Sequence, residues 1–179
     1  MSGKAMFVSM FVLAVVLTNA PQVQAQEAKA EVINTQGESI GTVMFTQVDQ
    51  GVKVTADLHS LPPGTHSFHV HQMGMCEAMD FKSCGGHFNP YGTQHGFLNP
   101  NGPHAGDLPN IVAGEDGTYR GELITGLLSL DKEAENSVLK EGGTAVIIHA
   151  DADDYISDPA GNGGARIACG VVAETVPSE

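Results

Sequence analysis

The residues best suited to chemistry are the histidines, and the chain has eight, as many as its lysines and arginines together. Three of them share a glycine- and proline-rich stretch with an aspartate: His87, His95, His104 and Asp107. Three imidazoles and one carboxylate can complete the tetrahedral shell of a zinc ion. Nothing else in this stretch could readily build a hydrophobic core. The spacing therefore predicts a metal site that orders the loop.

A second group of histidines lies on predicted β-strands. His69 and His71 are separated by Val70, and residues i and i+2 of a strand point to the same face. His149 ends the apolar run 144–148. Taken alone, His69 and His71 could equally be structural residues, and a lone histidine such as His149 more often is one. Together with the loop cluster, they become candidate ligands of a second metal.

The remaining pattern is that of short strands. In 52–59, Val52, Val54, Ala56 and Leu58 alternate with polar residues, which is typical of a half-buried strand. Similar runs lie at about 27–35, 38–48, 64–72, 108–114, 117–126, 143–150 and 165–173. Eight strands without intervening helices favour an antiparallel sandwich or barrel. The segments 73–107 and 151–164 are predicted to be functional loops, and 127–141 could carry a helical turn.

Composition limits the class of protein. The chain has 179 residues with 8 Lys+Arg and 21 Asp+Glu, a formal net charge of −13. Such acidity excludes a nucleic-acid binder that neutralises phosphates over a broad basic surface. The charged fraction of 16% and hydrophobic fraction of 41% exclude a disordered chain. The length suits one domain with a sizeable core.

Residues 1–25 have the features of a secretory signal peptide. Lys4 precedes an apolar run over 5–17, and Val23-Gln24-Ala25 fits a small-x-small cleavage site. The run is too short for a membrane span. We expect cleavage after Ala25, or less favourably after Ala20. The mature domain would then cover 26–179 in the periplasm or outside the cell, without membrane attachment. Disulfides persist there, but counting three cysteines does not identify the pair.

These motifs together resemble the copper–zinc superoxide dismutases of the exported bacterial kind, over essentially all of 26–179. They occur in family order: His69-Val70-His71, Gly85-Gly86-His87-Phe88-Asn89-Pro90, His95, His104-Ala105-Gly106-Asp107-Leu108-Pro109, His149 and Gly163-Gly164-Ala165-Arg166-Ile167-Ala168-Cys169-Gly170. The resemblance implies an all-β fold, an eight-stranded antiparallel Greek-key barrel or sandwich with two long functional loops. It also implies an enzyme that dismutates superoxide to oxygen and hydrogen peroxide.

The resemblance further implies one copper and one zinc per subunit. The implied copper ligands are His69, His71, His87 and His149. His87 would bridge to zinc and carry a proton, and the zinc ligands would be His87, His95, His104 and Asp107. Imidazoles suit both oxidation states of copper, whereas zinc has no redox chemistry and serves as a structural and electrostatic partner.

Other residues take implied roles from the same motifs. Arg166 would guide superoxide, because a guanidinium offers fixed donors and a permanent positive charge. Asp153 would link a copper-site histidine to a zinc-site histidine. Cys76 and Cys169 would form the family disulfide. Cys84 is a departure, because the family usually has a small residue there, and it could be a buried thiol or compete for the bridge.

The anionic substrate raises a further question in so acidic a chain. We hypothesise that Lys82, beside the disulfide, joins Arg166 and copper in a local positive funnel.

His59 is expected to be exposed and His66 structural, while Ser67 replaces the family's usual glycine. The resemblance leaves open a homodimer or a monomer.

Two other functions fit parts of the pattern. A copper-binding or copper-delivery module with the same fold but no turnover would lack a copper histidine or Arg166, and this chain has all of them. A zinc hydrolase is disfavoured, because three histidines and Asp107 would fill the zinc shell and leave no position for water.

Overall fold

A computed structural model describes residues 26–175, and the predicted signal peptide lies outside them. Eight β-strands form the domain: β1 Glu27–Asn34, β2 Ser39–Val48, β3 Gly51–Leu58, β4 Gly64–His71, β5 Asp107–Ala113, β6 Tyr119–Thr125, β7 Ala145–His149 and β8 Arg166–Glu174. A 3-10 turn at Lys82–Cys84 is the only helical element in this range. The eight predicted strands are therefore confirmed.

All neighbouring strands pair antiparallel in one sheet, in the order β5-β4-β7-β8-β1-β2-β3-β6. The edge strands β5 and β6 also approach each other, so the sheet curls into a nearly closed barrel. The non-sequential neighbours β4–β7 and β3–β6 are the Greek-key crossovers that the resemblance implied. This topology places β4 and β7, with their histidines, side by side.

Alternating side chains explain the barrel wall. Val52, Val54, Ala56 and Leu58 of β3 are buried, as their period of two predicted. Strand β7 differs, because all five of its residues are buried. Val146 and Ile148 join the barrel core, while Ala145 and Ile147 pack outside it against Phe81, Cys84 and Cys169. The first long loop therefore covers the outer face of β7.

The segment 127–141 forms turns and an isolated bridge between Ser129 and Ser137, without the helical turn that the sequence left possible. Leu128 and Leu130 are both buried in the core. Their spacing of two residues suits extended backbone and would place them on different sides of a helix.

No helix within residues 26–175 has the length and apolar character needed to cross a membrane.

Candidate metal centre

The core histidines meet at one end of the barrel. His69 and His71 project from β4, and His149 ends the neighbouring β7. An isolated antiparallel bridge from His71 to His87 brings the first long loop back across the strand end. All four imidazoles are buried, and one ligand atom from each lies within 4.8 Å of the others.

One nitrogen of each of these imidazoles is buried and has no hydrogen-bond partner among residues 26–175: His69 Nδ1, His71 Nε2, His87 Nε2 and His149 Nε2. Burying a polar atom without a hydrogen-bond partner costs free energy, so four such nitrogens that point toward one centre require an explanation. A metal ion at their centre would satisfy all four. The donor set therefore fits a metal that accepts four imidazoles.

The other nitrogen of each ring is held by a neighbour, which fixes the ring orientation. His71 Nδ1 donates to the Gly85 carbonyl oxygen at 2.9 Å, and His149 Nδ1 to the Gly164 carbonyl oxygen at 3.3 Å. His87 Nδ1 lies 2.9 Å from a carboxylate oxygen in the neighbouring cluster. Each of these contacts holds one nitrogen of the ring and so directs the unpartnered nitrogen of the same ring toward the centre of the cluster.

The neighbouring cluster surrounds Asp107 at the start of β5. Its Oδ1 lies 2.9 Å from His87 Nδ1, 3.0 Å from His95 Nδ1 and 3.4 Å from His104 Nδ1. Its Oδ2 accepts the backbone N–H groups of Gly96 and His104, each at 2.9 Å. Three Nδ1 atoms and a carboxylate oxygen thus converge, and His87 belongs to both clusters.

Asp153 joins the two clusters from the second long loop. Its Oδ2 accepts from His69 Nε2 at 2.7 Å, and its Oδ1 accepts from His95 Nε2 at 2.9 Å. His69 lies close enough to count with His87, His95 and Asp107 as a possible metal group. The Nε2 of His69 is hydrogen-bonded to Asp153, and its Nδ1 has no partner and faces the first cluster. His69 is therefore assigned to the first cluster and not to the second.

A glycine makes room for this carboxylate. At Gly161, a Cβ would collide with the Asp153 carboxylate and approach His95 Nε2. Its φ of +62° also lies in the left-handed region that favours glycine. The second loop therefore uses Gly161 to bring its backbone against the Asp153–His95 contact.

Burial and nearby carboxylates shift the pKa values of the cluster histidines in opposite directions. Burial lowers the pKa of His71 well below its usual value, that of His87 to about 4 and that of His149 to about 3. Burial also opposes protonation of His95, but the hydrogen bonds that its ring donates to the Asp107 and Asp153 carboxylates outweigh burial and raise the pKa of His95 to about 9. His71, His87 and His149 are thus neutral at pH 7, as metal binding requires.

These shifts predict acid sensitivity of the metal-free chain. A histidine whose folded-state pKa is lowered stays neutral in the fold while the unfolded chain takes up a proton below about pH 6.5. The free energy of unfolding should therefore fall as the pH drops from 6.5 toward 4, through His71, His87 and His149. The opposite contribution of His95 is lost only as the pH rises toward 9 and is constant in this window.

Urea unfolding of the metal-free chain between pH 4 and pH 7 measures this dependence. His149→Gln should make the slope shallower, because it removes one buried titrating group. An unfolding free energy that stays constant or increases as the pH falls from 6.5 to 4.5 would contradict the prediction.

Arg166 lies beside the first cluster at the start of β8. Its Nη1 donates to the Phe81 carbonyl oxygen at 2.8 Å, and its Nη2 to the Gly85 carbonyl oxygen at 2.7 Å. The same Gly85 oxygen accepts from His71 Nδ1. The carbonyls of Phe81 and Gly85 therefore fix the guanidinium, a role that no sequence pattern indicated.

A cavity of about 490 Å³ opens at this arginine, lined by Met79, Asp80, Lys82, Gly164, Ala165 and Arg166. Lys82 thus shares a cavity with Arg166, as the funnel hypothesis requires. Its ammonium, however, lies 2.9 Å from the Asp80 carboxylate, and both side chains are exposed. The lysine contributes part of an ion pair at this entrance.

The disulfide joins Cys76 to Cys169, as the resemblance implied, and ties the first long loop to β8. Cys84 is free and buried. Its thiol lies 3.0 Å from the Phe81 carbonyl oxygen and 3.5 Å from Arg166 Nη1. Burial raises the pKa of the Cys84 thiol, which keeps it protonated and poorly nucleophilic.

The two remaining histidines lie outside both clusters. His59 is exposed, and its imidazole hydrogen-bonds to the adjacent Ser60 hydroxyl at 3.1 Å. His66 is buried between the carbonyl oxygens of Pro62, at 2.7 Å, and His149, at 2.8 Å. His66 therefore supports the backbone of a cluster histidine, in agreement with the structural role expected for it.

Known proteins share this architecture. The family model for copper/zinc superoxide dismutase (SODC) matches residues 39–172. Superoxide dismutase (Cu-Zn) 2 of Aquifex aeolicus (strain VF5) is 49% identical over 157 residues, which cover 87% of this chain and 92% of that protein. Among solved structures, a SOD-like protein from Bacillus subtilis has a TM-score of 0.78 and 41% identity, covering 80% of this chain and 96% of its own. The Cu/Zn superoxide dismutase of Brucella abortus has a TM-score of 0.67 and 30% identity, covering 81% and 98%.

The family match extends over more than half of the chain and includes both histidine clusters. The Aquifex protein is aligned over nearly all of its own length. The chain therefore belongs to the copper/zinc superoxide dismutase family.

Proposed function

We propose that the two histidine clusters are the copper and zinc sites of this enzyme. Copper is held by His69 Nδ1, His71 Nε2, His87 Nε2 and His149 Nε2. Zinc is held by Nδ1 of His87, His95 and His104 and by the Asp107 carboxylate. The observation that carries this proposal is the set of four buried nitrogens without partners.

As a member of its family, the chain catalyses the dismutation of superoxide, in which two superoxide ions and two protons give one oxygen and one hydrogen peroxide. Bound copper supplies the one-electron redox chemistry, and bound zinc supplies a fixed charge and structural support. The protein has to bind a small anion, exclude competing groups and deliver protons.

Arg166 binds and orients superoxide. Two carbonyl oxygens already hold its guanidinium in place, so the side chain has little freedom left to lose when an anion binds. The guanidinium N–H groups left over can donate to a small anion in the cavity that Arg166 lines. Its charge is permanent at physiological pH.

His87 carries a proton. It is the one imidazole shared by both clusters, with Nδ1 toward Asp107 and Nε2 toward the first cluster. A proton can therefore be held at Nε2 while Nδ1 stays with Asp107 and the zinc-site histidines.

The function is tested by metal analysis combined with a superoxide-consumption assay on the purified chain. We expect one copper and one zinc per chain and an activity that a chelator removes. Stoichiometric copper without turnover would contradict the proposal and favour a copper-delivery module instead.

Lys82 contributes to the attraction of superoxide at the cavity entrance. Lys82→Glu should lower the rate constant at low ionic strength a few-fold and weaken its salt dependence, because two acidic groups would then stand beside Arg166. Stopped-flow measurements over a salt series give both quantities.

Lys132→Glu is the matched control for this prediction. Lys132 is also exposed and paired, with Glu174, but does not line the cavity. The same net charge change should then leave the salt dependence near that of the wild type. Equal effects of the two variants on the rate constant and its salt dependence, or no effect of Lys82→Glu, would show that Lys82 does not help to attract superoxide.

Export completes the proposal. The Cys76–Cys169 disulfide supports an oxidising location, the periplasm or the cell exterior. Sequencing the N-terminus of the exported chain should give Gln26 as the first residue. A mature chain that begins at Met1 would refute cleavage of 1–25.

A further inference from the structure

A β-bulge joins the barrel to the loop that carries Asp153. Along the β4–β5 pair, His66 pairs with Ile111 and Phe68 with Leu108. Ser67 alone therefore opposes two residues of β5, Pro109 and Asn110. Such a bulge removes backbone groups from the regular ladder and redirects side chains.

The freed groups of Asn110 bind the second long loop. Its backbone N–H donates to the Tyr155 hydroxyl oxygen at 2.8 Å. Its side-chain Nδ2 donates to the Asp153 carbonyl oxygen at 2.9 Å, and its Oδ1 accepts from the Asp153 backbone N–H, also at 2.9 Å. A single amide side chain thus satisfies both backbone polar groups of Asp153.

The opposite strand of the bulge holds the same loop. Both the backbone N–H and the hydroxyl of Ser67 donate to the Asp151 carbonyl oxygen, at 2.8 Å and 2.6 Å. Ser67 is fully buried, so this carbonyl is satisfied without solvent. The residue that replaces the family's usual glycine therefore adds a hydroxyl contact to the attachment.

From this arrangement we propose that Asn110 is a positioning residue for both metal sites. It touches no proposed ligand, and it acts by fixing the backbone from which the Asp153 carboxylate reaches His69 and His95. A carboxylate that orients two ligand imidazoles must be placed to within a few tenths of an ångström. The bulge provides that placement, and β5, which begins at Asp107, links it to the zinc site.

The test is the rate at which zinc leaves the copper- and zinc-loaded chain in the presence of an excess of a coloured chelator, well below the unfolding temperature. Asn110→Ala should accelerate zinc release by up to about tenfold, because it loosens Asp153, and outer contacts to metal ligands such as those of Asp153 typically contribute 10–100-fold in affinity. The copper(II) absorption spectrum should also shift, because Asp153 holds His69.

Asn136→Ala is the matched control, because Asn136 also uses its amide to hold a backbone carbonyl, that of Leu127 at 3.0 Å, but has no hydrogen bond to Asp153 or to a proposed ligand. It should leave both readouts unchanged. Tyr155→Phe, which removes the acceptor for the Asn110 N–H, should accelerate release in the same direction by a smaller factor and provides the test if Asn110→Ala does not fold.

Unchanged zinc release and an unchanged copper spectrum in Asn110→Ala would overturn the inference, as would equal acceleration by Asn136→Ala, which would indicate general destabilisation. The inference rests on the proposed ligands. A wild-type chain that binds no zinc would overturn that assignment, whereas normal wild-type binding with unaltered Asn110→Ala kinetics would overturn only the role of Asn110.

Discussion

His149→Ala is expected to abolish superoxide consumption and to remove copper from the chain while zinc stays bound. The substitution deletes one of four converging nitrogens and leaves the Asp107 cluster intact. Loss of outer contacts to a ligand already costs about 10–100-fold in metal affinity, so loss of a ligand should exceed about 100-fold. Copper content by elemental analysis and a superoxide assay on the same sample measure both effects.

His59→Ala is the control for this variant. It removes an exposed imidazole that belongs to neither cluster and hydrogen-bonds to Ser60, so copper content and activity should match the wild type. Retention of full activity by His149→Ala would refute its assignment as a copper ligand. Loss of zinc and copper together would indicate that the two clusters do not form separable sites.

Removal of the disulfide should produce the largest loss of stability. Cys76 and Cys169 are 93 residues apart, and the chain-entropy model gives about 4–5 kcal/mol for a closed loop of this length. For a domain of this size that corresponds to roughly 10–20 °C in Tm. Cys76→Ala should also lower activity, because the loop held by the disulfide supplies the Phe81 and Gly85 carbonyls that fix Arg166.

This experiment is best made in a Cys84→Ala background, which prevents Cys84 from pairing with Cys169. Cys84→Ala alone should retain the disulfide and nearly all activity, because its thiol is free in the structure. Calorimetry of the two variants isolates the contribution of the bridge. A Tm difference of only 1–2 °C would contradict a stabilising role, and loss of the disulfide in Cys84→Ala would contradict the pairing.

Much of the barrel could be predicted because strands such as β3 alternate buried residues with more exposed ones. Strand β7 has no alternation, since both of its faces are covered, and its short apolar run predicts the strand instead of a period of two. The segment 127–141 could not be assigned from sequence. Leu128 and Leu130 show their extended spacing only once the core that they enter is known.

The histidines and Asp107 that converge in the two clusters can also be identified from sequence as candidate ligands, because ligand chemistry restricts metal sites to a few residue types. Which nitrogen of each imidazole stays free cannot be identified in this way, since it depends on partners such as the Gly85 and Gly164 carbonyls, brought in by distant loops. Backbone groups leave no trace in residue type. Asn110 was missed for a related reason: one asparagine in a strand has no distinctive pattern, and its role arises from a bulge in the pairing of β4 and β5.

The net charge of −13 limits which positively charged surfaces the protein can have, and the structure shows where a small one lies. It excludes a broad basic surface, but superoxide needs only a small positive region. Under the proposed function, Arg166, fixed at a cavity that Lys82 also lines, would supply that region without changing the overall acidity.

The most direct test of the two-site assignment is anomalous diffraction from crystals of the metal-loaded protein, recorded at the copper and zinc absorption edges. The assignment predicts a copper peak among His69, His71, His87 and His149, a zinc peak among His87, His95, His104 and Asp107, and the His87 ring between them. A copper peak elsewhere, or two peaks that do not share His87, would contradict it.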